Sequence, residues 1–258
     1  MASFETIGNK EKAIAIISSS GNLRKDKEKA KKLMIKSKNI KSVLLKTSKR
    51  KGKLRKRQYK LILGEKNTEV IHKEYGYLIK LDPQSVYFSS RELTERQRIA
   101  SKVKKNEKVL VMFSGAAPFI IAIKKKQPSS YVCGIELNKK AHEYALENIK
   151  LNKLEKVKLI QGDVTKLVPK LKEKFDRILM PLPKTADKFL ELAFSKIKKN
   201  GIIHYYYWGK EEEYDPIKKL ITKKAKNCKK KIKILRIVKV LPYAPRVYKL
   251  AIAIKILN

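Results

Sequence analysis

Four short segments carry residue types suited to binding and activating a ligand, and each follows an apolar run that reads as a strand. The first is Phe113-Ser114-Gly115-Ala116-Ala117-Pro118-Phe119, a turn of small residues. Small side chains let a ligand approach the backbone, and the helix that follows offers unpaired N–H groups at its start. With one glycine where such loops usually have three, a plain tight turn stays equally open. Glu136 ends YVCGIE (131–136), where a carboxylate accepts from ribose hydroxyls or simply favours the next helix start. Asp163 ends VKLIQGD (157–163) and suits either an adenine amino group or a turn. Pro181-Leu182-Pro183-Lys184 follows FDRILM (175–180) as a rigid loop, either a shelf for a planar acceptor or a stiff strand-to-helix connection. Ligands of open α/β sheets sit at the carboxyl ends of the strands. Small loop, acid, acid and Pro-rich loop at four successive strand ends therefore read as an adenosine-cofactor site.

Other chemistries find no support. No GxxxxGK[ST] stretch is present, which argues against nucleotide hydrolysis. His72, His142 and His204 are scattered, and no Ser–His–Asp pattern accompanies them. Cys133 and Cys228 lie far apart and outside any CxxC, so reduced thiols and no metal site are expected.

These strand ends need a scaffold, and the hydropathy rhythm supplies one. From residue 108 apolar runs alternate with helical stretches: strands 108–113, 131–136, 157–163, 175–180 and 201–208, helices 117–126, 138–152, 185–200 and 211–226. Residues 231–241 and 247–257 read as a closing antiparallel pair around Pro242–Pro245. This is the pattern of a parallel sheet covered by helices on both faces. Upstream, 13–17, 42–47 and the end of 49–64 read as strands, 24–37 as a helix, and 68–82 as a hairpin turning near Gly76. RELTERQRIASKVKKN (91–106) reads as a helix. The expected organisation is a small basic α+β domain over 1–85 and an α/β domain over 86–258.

The chain has 258 residues, 64 Lys+Arg against 24 Asp+Glu, and a formal net charge of +40. Such a charge self-repels unless a polyanion or counterions surround it, which points to nucleic acid. Only 10 of the basic residues are Arg, so base composition or growth at high temperature also explains the lysines. No apolar run approaches the roughly 18 residues of a membrane span, and the N-terminus lacks a signal-peptide pattern. A cytoplasmic protein without membrane contact is expected. Arg55, Arg57 and Tyr59, interleaved with lysines, suit an RNA-facing loop.

Tyr87-Phe88-Ser89-Ser90-Arg91-Glu92-Leu93-Thr94-Glu95-Arg96 resembles YFSPRLSTER, the signature of the archaeal–eukaryotic tRNA guanine-37 N1-methyltransferases. MFSGAAPF (112–119) is similar to that family's MFAGVGPF. IHKEYGYLIKLD (71–82), ENIKLNKL (147–154), MPLPK (180–184), GIIHYY (201–206) and RIVKVLPYAPRVY (236–248) match as well. The resemblance spans essentially the whole chain. It implies a class I methyltransferase, with a Rossmann-like seven-stranded sheet and an antiparallel terminal strand. S-adenosylmethionine is the implied methyl donor, with no metal, and the implied partner is the anticodon loop of tRNA at position 37. A monomer of archaeal type is expected, without the additional N-terminal domain of longer relatives.

Roles follow from the resemblance position by position. Glu95 corresponds to the proposed general base for guanine N1, and Arg55 to the arginine that stabilises charge on guanine O6. Tyr87 and Arg91 would position base and backbone, with Pro181 and Lys184 in the acceptor loop. Arg96, Phe113, Gly115, Glu136, Leu137, Asp163 and Val164 would contact the cofactor. Three positions depart from the family pattern: Val111 replaces an acid, Ala117 a glycine, and Pro181 an asparagine whose amide would bond the target base. A changed acceptor loop suits a relaxed or dual acceptor. The alternatives are therefore methylation of the tricyclic wyosine precursor and the related aminocarboxypropyl transfer, the latter disfavoured by Leu182-Pro183-Lys184. An RNA binder without turnover is the non-enzymatic alternative.

Overall fold

The computed structural model describes residues 4–48, 57–182, 185–210 and 214–258. In chain order the elements are β1 (Glu5–Gly8), β2 (Ala13–Ser18), α1 (Leu23–Lys36), β3 (Ile40–Lys46), β4 (Tyr59–Gly64), β5 (Val70–Glu74), β6 (Tyr77–Leu81) and α2 (Leu93–Ala100). There follow β7 (Lys108–Met112), α3 (Pro118–Lys126), β8 (Tyr131–Glu136), α4 (Lys139–Leu151), β9 (Val157–Gln161), α5 (Val164–Leu167) and β10 (Phe175–Met180). The chain ends with α6 (Leu190–Lys196), β11 (Ile197–Lys210), α7 (Asp215–Asn227), β12 (Ile232–Ala244) and β13 (Val247–Ile256). They divide into two compact units: Met1–Leu93 with Gly115–Pro118 and Asn138–Lys153, and Thr94–Ser114 with Phe119–Leu137 and Leu154–Asn258.

The first unit contains a four-stranded sheet in the order β1-β2-β3-β4 and the β5–β6 hairpin. β2 and β3 are parallel, joined by α1, whose start is capped by the Asn22 side chain accepting from Arg24 and Lys25 N–H. Ala13, Ala15, Ile17, Val43 and Leu45 form the core beneath it. The hairpin turns through Tyr75 (φ 44°) and Gly76 (φ 82°), the two left-handed residues of a tight hairpin turn.

Two asparagines of α4 complete the edge of β6. Asn148, fully buried, accepts from Lys80 N–H at 2.6 Å and donates to Lys80 C=O at 2.9 Å and Ala116 C=O at 3.0 Å. Asn152, one turn on, accepts from Leu78 N–H at 3.0 Å and donates to Leu78 C=O at 2.6 Å. Residues i and i+4 share a helix face, and 78 and 80 share a strand edge. Two primary amides thus continue the ladder that a third strand would otherwise supply.

The second unit holds a seven-stranded sheet in the order β12-β13-β11-β10-β7-β8-β9. β9, β8, β7, β10 and β11 are parallel, and β13 runs antiparallel between β11 and β12. Leu110, Met112, Ile135, Ile178, Ile203 and Tyr205 belong to one buried core with Phe175 and Phe194. The sheet agrees with the rhythm of the sequence. The helix expected over 185–200 does not: α6 stops at Lys196, and Ile197–Lys210 is a single strand whose pairing with β10 shifts register between Phe175 and Arg177. Ile197 is needed in the core, and Asn200 with φ 62° supplies the local bend.

One buried charged cluster lies in this sheet. The Arg177 guanidinium, 2 % exposed, donates to Glu107 at 2.9 and 3.0 Å, to Lys102 C=O at 2.7 Å and to His204 Nε2 at 2.7 Å. Arginine has no acceptor, so His204 Nε2 must accept and the imidazole is neutral. Burial, then the positive charge of Arg177, pushes the His204 pKa well down.

Two outcomes are expected. Replacing Asn148 by Ala leaves buried backbone groups unpaired and should cost about 1–3 kcal/mol in urea-unfolding stability; an unchanged midpoint would contradict the ladder. His204 refuses in the folded state a proton that the unfolded chain accepts near pH 6.5. Its contribution is complete above that pH and is lost as pH falls. Wild type should lose at most about 2 kcal/mol more than His204→Gln between pH 7.5 and 5; equal losses would exclude His204 as the source.

Candidate active site

The register of the sheet brings four strand ends level. Met112 pairs with Ile135, Glu136 with Gln161, Leu179 with Val111, and Met180 with Tyr205. Pro181, Phe113, Glu136 and Asp163 therefore come one after another along the carboxyl edge of the parallel strands.

The small-residue turn is held open by backbone conformation. Phe113 (φ 62°), Gly115 (φ 57°) and Ala117 (φ 67°) are all left-handed. Each non-glycine residue in that region costs on the order of 1–2 kcal/mol, and such strain concentrates where a ligand is held. The Ala117 angle explains why glycine suits that position. Ser114 N–H is tied to Ile135 C=O at 2.9 Å, and the Phe113 ring packs edge-on to Phe189 with centroids 5.0 Å apart. A side chain built on Gly115 would meet nothing nearer than Tyr87 C=O at 4.0 Å.

Glu136 is half-buried, and its C=O accepts from Gly162 N–H at 2.8 Å, joining the second and third strand ends. Leu137 C=O accepts from Gln161 Nε2 at 3.1 Å. Asp163 caps α5, with Oδ1 accepting from the Thr165 N–H and hydroxyl, both at 2.8 Å. Asp163 therefore fills the turn role left open by the sequence, with Val164 buried behind it. Phe113, Glu136, Leu137, Asp163 and Val164 are gathered along one edge, as a cofactor site requires.

α2 supplies the acid. Glu95 is 5 % exposed, and Arg96 beside it only 2 %. Arg98 clamps the Glu95 carboxylate with Nε to Oε2 at 2.6 Å and Nη2 to Oε1 at 2.7 Å. The Tyr206 hydroxyl donates to Oε1 as well. Burial opposes the Arg98 charge, but the Glu95 carboxylate outweighs it and raises the Arg98 pKa. Tyr206 follows the residue that pairs with Met180, so Glu95 is anchored level with the end of β10, where Pro181 begins. Sequence reasoning missed Arg98 and Tyr206. The spacing of Glu95 and Arg98, three apart on a helix, was the available signal.

In the first unit, Tyr87 is 39 % exposed and donates to Glu92 at 2.9 Å, and Arg91 is exposed. Ser89 and Ser90 of the same stretch donate to the Glu5 carboxylate, anchoring it to β1. Arg55, Pro183 and Lys184 lie outside the described residues.

Comparison with known proteins agrees with this fold. The TRM5/TYW2 methyltransferase domain matches residues 70–235, and the TYW2 N-terminal domain matches residues 1–68. A Pyrococcus abyssi protein named tRNA (guanine(37)-N(1))-methyltransferase Trm5b is 40 % identical over 256 residues, covering 98 % of this chain and 74 % of its own. A Methanocaldococcus jannaschii tRNA(Phe) (4-demethylwyosine(37)-C(7)) aminocarboxypropyltransferase is 37 % identical over 224 residues, covering 86 % of this chain and 88 % of its own. A solved complex of aTrm5 and tRNALeu superposes with a TM-score of 0.85 at 36 % identity, covering all of this chain and 72 % of that one. The left-handed turn, the level strand ends and the clamped glutamate are thus those of a chain that belongs to the TRM5/TYW2 methyltransferase family.

Proposed function

We propose that this chain transfers a methyl group from S-adenosylmethionine to N1 of guanosine 37 in tRNA. The observation that carries the reading is Glu95: a buried carboxylate, held by two donors, level with the strand end that precedes the acceptor loop. Residues 1–85 form the basic tRNA-contacting domain and 86–258 the catalytic domain. The protein acts as a cytoplasmic monomer on the anticodon loop.

The cofactor supplies an electrophilic methyl group. Phe113, Gly115, Glu136, Leu137, Asp163, Val164 and Arg96 hold it along the carboxyl edge. Guanine N1 carries a proton at neutral pH and is a poor nucleophile. Glu95 takes that proton, and Arg55 stabilises the negative charge left on O6. Both Glu95 oxygens already accept hydrogen bonds. The incoming N1–H replaces one of those donors. Tyr87 and Arg91 steer the splayed nucleotide, and Pro181 and Lys184 border it. Proline offers no amide to the base, so the acceptor edge is read elsewhere.

A second reading has its own support: residues 1–68 match the N-terminal domain of the aminocarboxypropyl-transferring branch. That reaction moves a different group of the same cofactor onto the wyosine precursor. Methylation of that precursor is the third possibility.

Incubation with labelled S-adenosylmethionine and tRNA transcripts differing only in G37 or A37, followed by nucleoside identification, separates these readings. N1-methylguanosine from G37 alone is expected. No product from G37, with a methylated or aminocarboxypropylated nucleoside from precursor-bearing tRNA, would overturn it. Glu95→Gln should lower turnover by about 10²–10⁴, with tRNA affinity within about twofold of wild type; full turnover would remove Glu95 as the base.

A further inference from the structure

His204, Tyr206 and Trp208 alternate along β11 and so share one face of the sheet. Tyr206 bonds Glu95, so this is the face that Glu95 occupies. Lys249 lies opposite Trp208 in the register of β13, is 1 % exposed, and holds its ammonium 4.8 Å from the Tyr206 ring centroid. Phe119 meets the same ring edge-on at 6.2 Å.

The row continues outward. Trp208, the one tryptophan of the chain, packs against Tyr243 of β12 with centroids 4.4 Å apart and planes at 37°. β13 separates β11 from β12, so the two rings meet across the strand between them. Tyr243 is 66 % exposed. β11 runs on from Tyr205, the partner of Met180, to Lys210, and the β12–β13 hairpin accompanies it with Arg246 exposed at the turn. The pair therefore projects past the strand ends, about 6.6 Å along β11 from Tyr206.

A pair built only to staple a hairpin would bury both rings. Here Tyr243 is left largely to solvent, on a hairpin whose turn carries the exposed Arg246, in a chain of net charge +40. Unpaired bases stack on such surfaces, and the contact tolerates any base because every base has a π-face. We infer that Trp208 and Tyr243 form a stacking platform for an unpaired anticodon-loop base flanking the target nucleotide, with Arg246 beside its phosphate. The inference rests on the reading of this chain as a tRNA position-37 methyltransferase. The platform recognises the opened loop, not base identity.

The single tryptophan makes the test direct. A synthetic anticodon stem–loop RNA carrying G37 is titrated into the full chain while Trp208 emission is followed and binding is measured independently by filter retention. The stem–loop should quench the emission, and a loopless RNA duplex of equal length should not. Tyr243→Ala should weaken stem–loop binding by about tenfold with an unchanged unfolding midpoint, and Tyr243→Phe should restore it. Retained stem–loop without quenching, or wild-type affinity in Tyr243→Ala, would overturn the platform. The readout needs no methyl transfer. If quenching and the Tyr243→Ala loss persist while G37 transcripts stay unmethylated, the platform stands and the proposed reaction falls.

Discussion

A carboxylate taken out of water must be compensated, and Glu95 sets that demand at the centre of the catalytic unit. An unpartnered ion would cost several kcal/mol. Arg98 meets the cost in two parallel hydrogen bonds, the geometry in which guanidinium and carboxylate fit best. Tyr206 adds a third donor from β11. The helix and the strand are therefore fixed to each other through one side chain.

Side-chain pairing also organises the polar architecture elsewhere. Asn148 and Asn152 satisfy the exposed edge of β6, a task that usually falls to a neighbouring strand. Arg177 distributes its donors over Glu107, Lys102 C=O and His204, which leaves the imidazole neutral by necessity. In each case a side chain of fixed donor geometry joins elements far apart in sequence.

That distance explains what could and could not be read from sequence. The parallel sheet was legible because buried strands are continuous apolar runs and helices intervene at regular spacing. The strand-end residues were legible as a set because topology sends ligands to that edge. Helix 185–200 was misread from its end onward because Ile197 has helical neighbours but a place in the core, and tertiary packing overrides propensity. β1 was missed because four residues carry too little pattern. Asp163 was read as a ligand or a turn; its bonds to Thr165 fill the second role and leave the first to be tested. Arg98 and Tyr206 stand 108 residues apart and meet at Glu95, a relation that no local pattern carries.

The three departures from the family pattern then take on different weights. Ala117 costs strain but keeps the turn, since its φ of 67° is the angle a glycine would adopt there. Val111 is fully buried in β7, where an acid would need a partner, so valine is the less demanding residue. Pro181 is the one that removes a chemical group from the acceptor edge. A site that loses an amide donor at the target must obtain discrimination from elsewhere. The contacts available on the Glu95 face are the carboxylate itself, which accepts only from a base presenting an N–H, and the aromatic rings farther along β11. An acceptor-only carboxylate rejects adenine, whose N1 bears no proton, by leaving the ion without its incoming donor. On the proposed reaction, Glu95 would carry selectivity for guanine as well as proton removal, which would compensate for a proline at the acceptor loop.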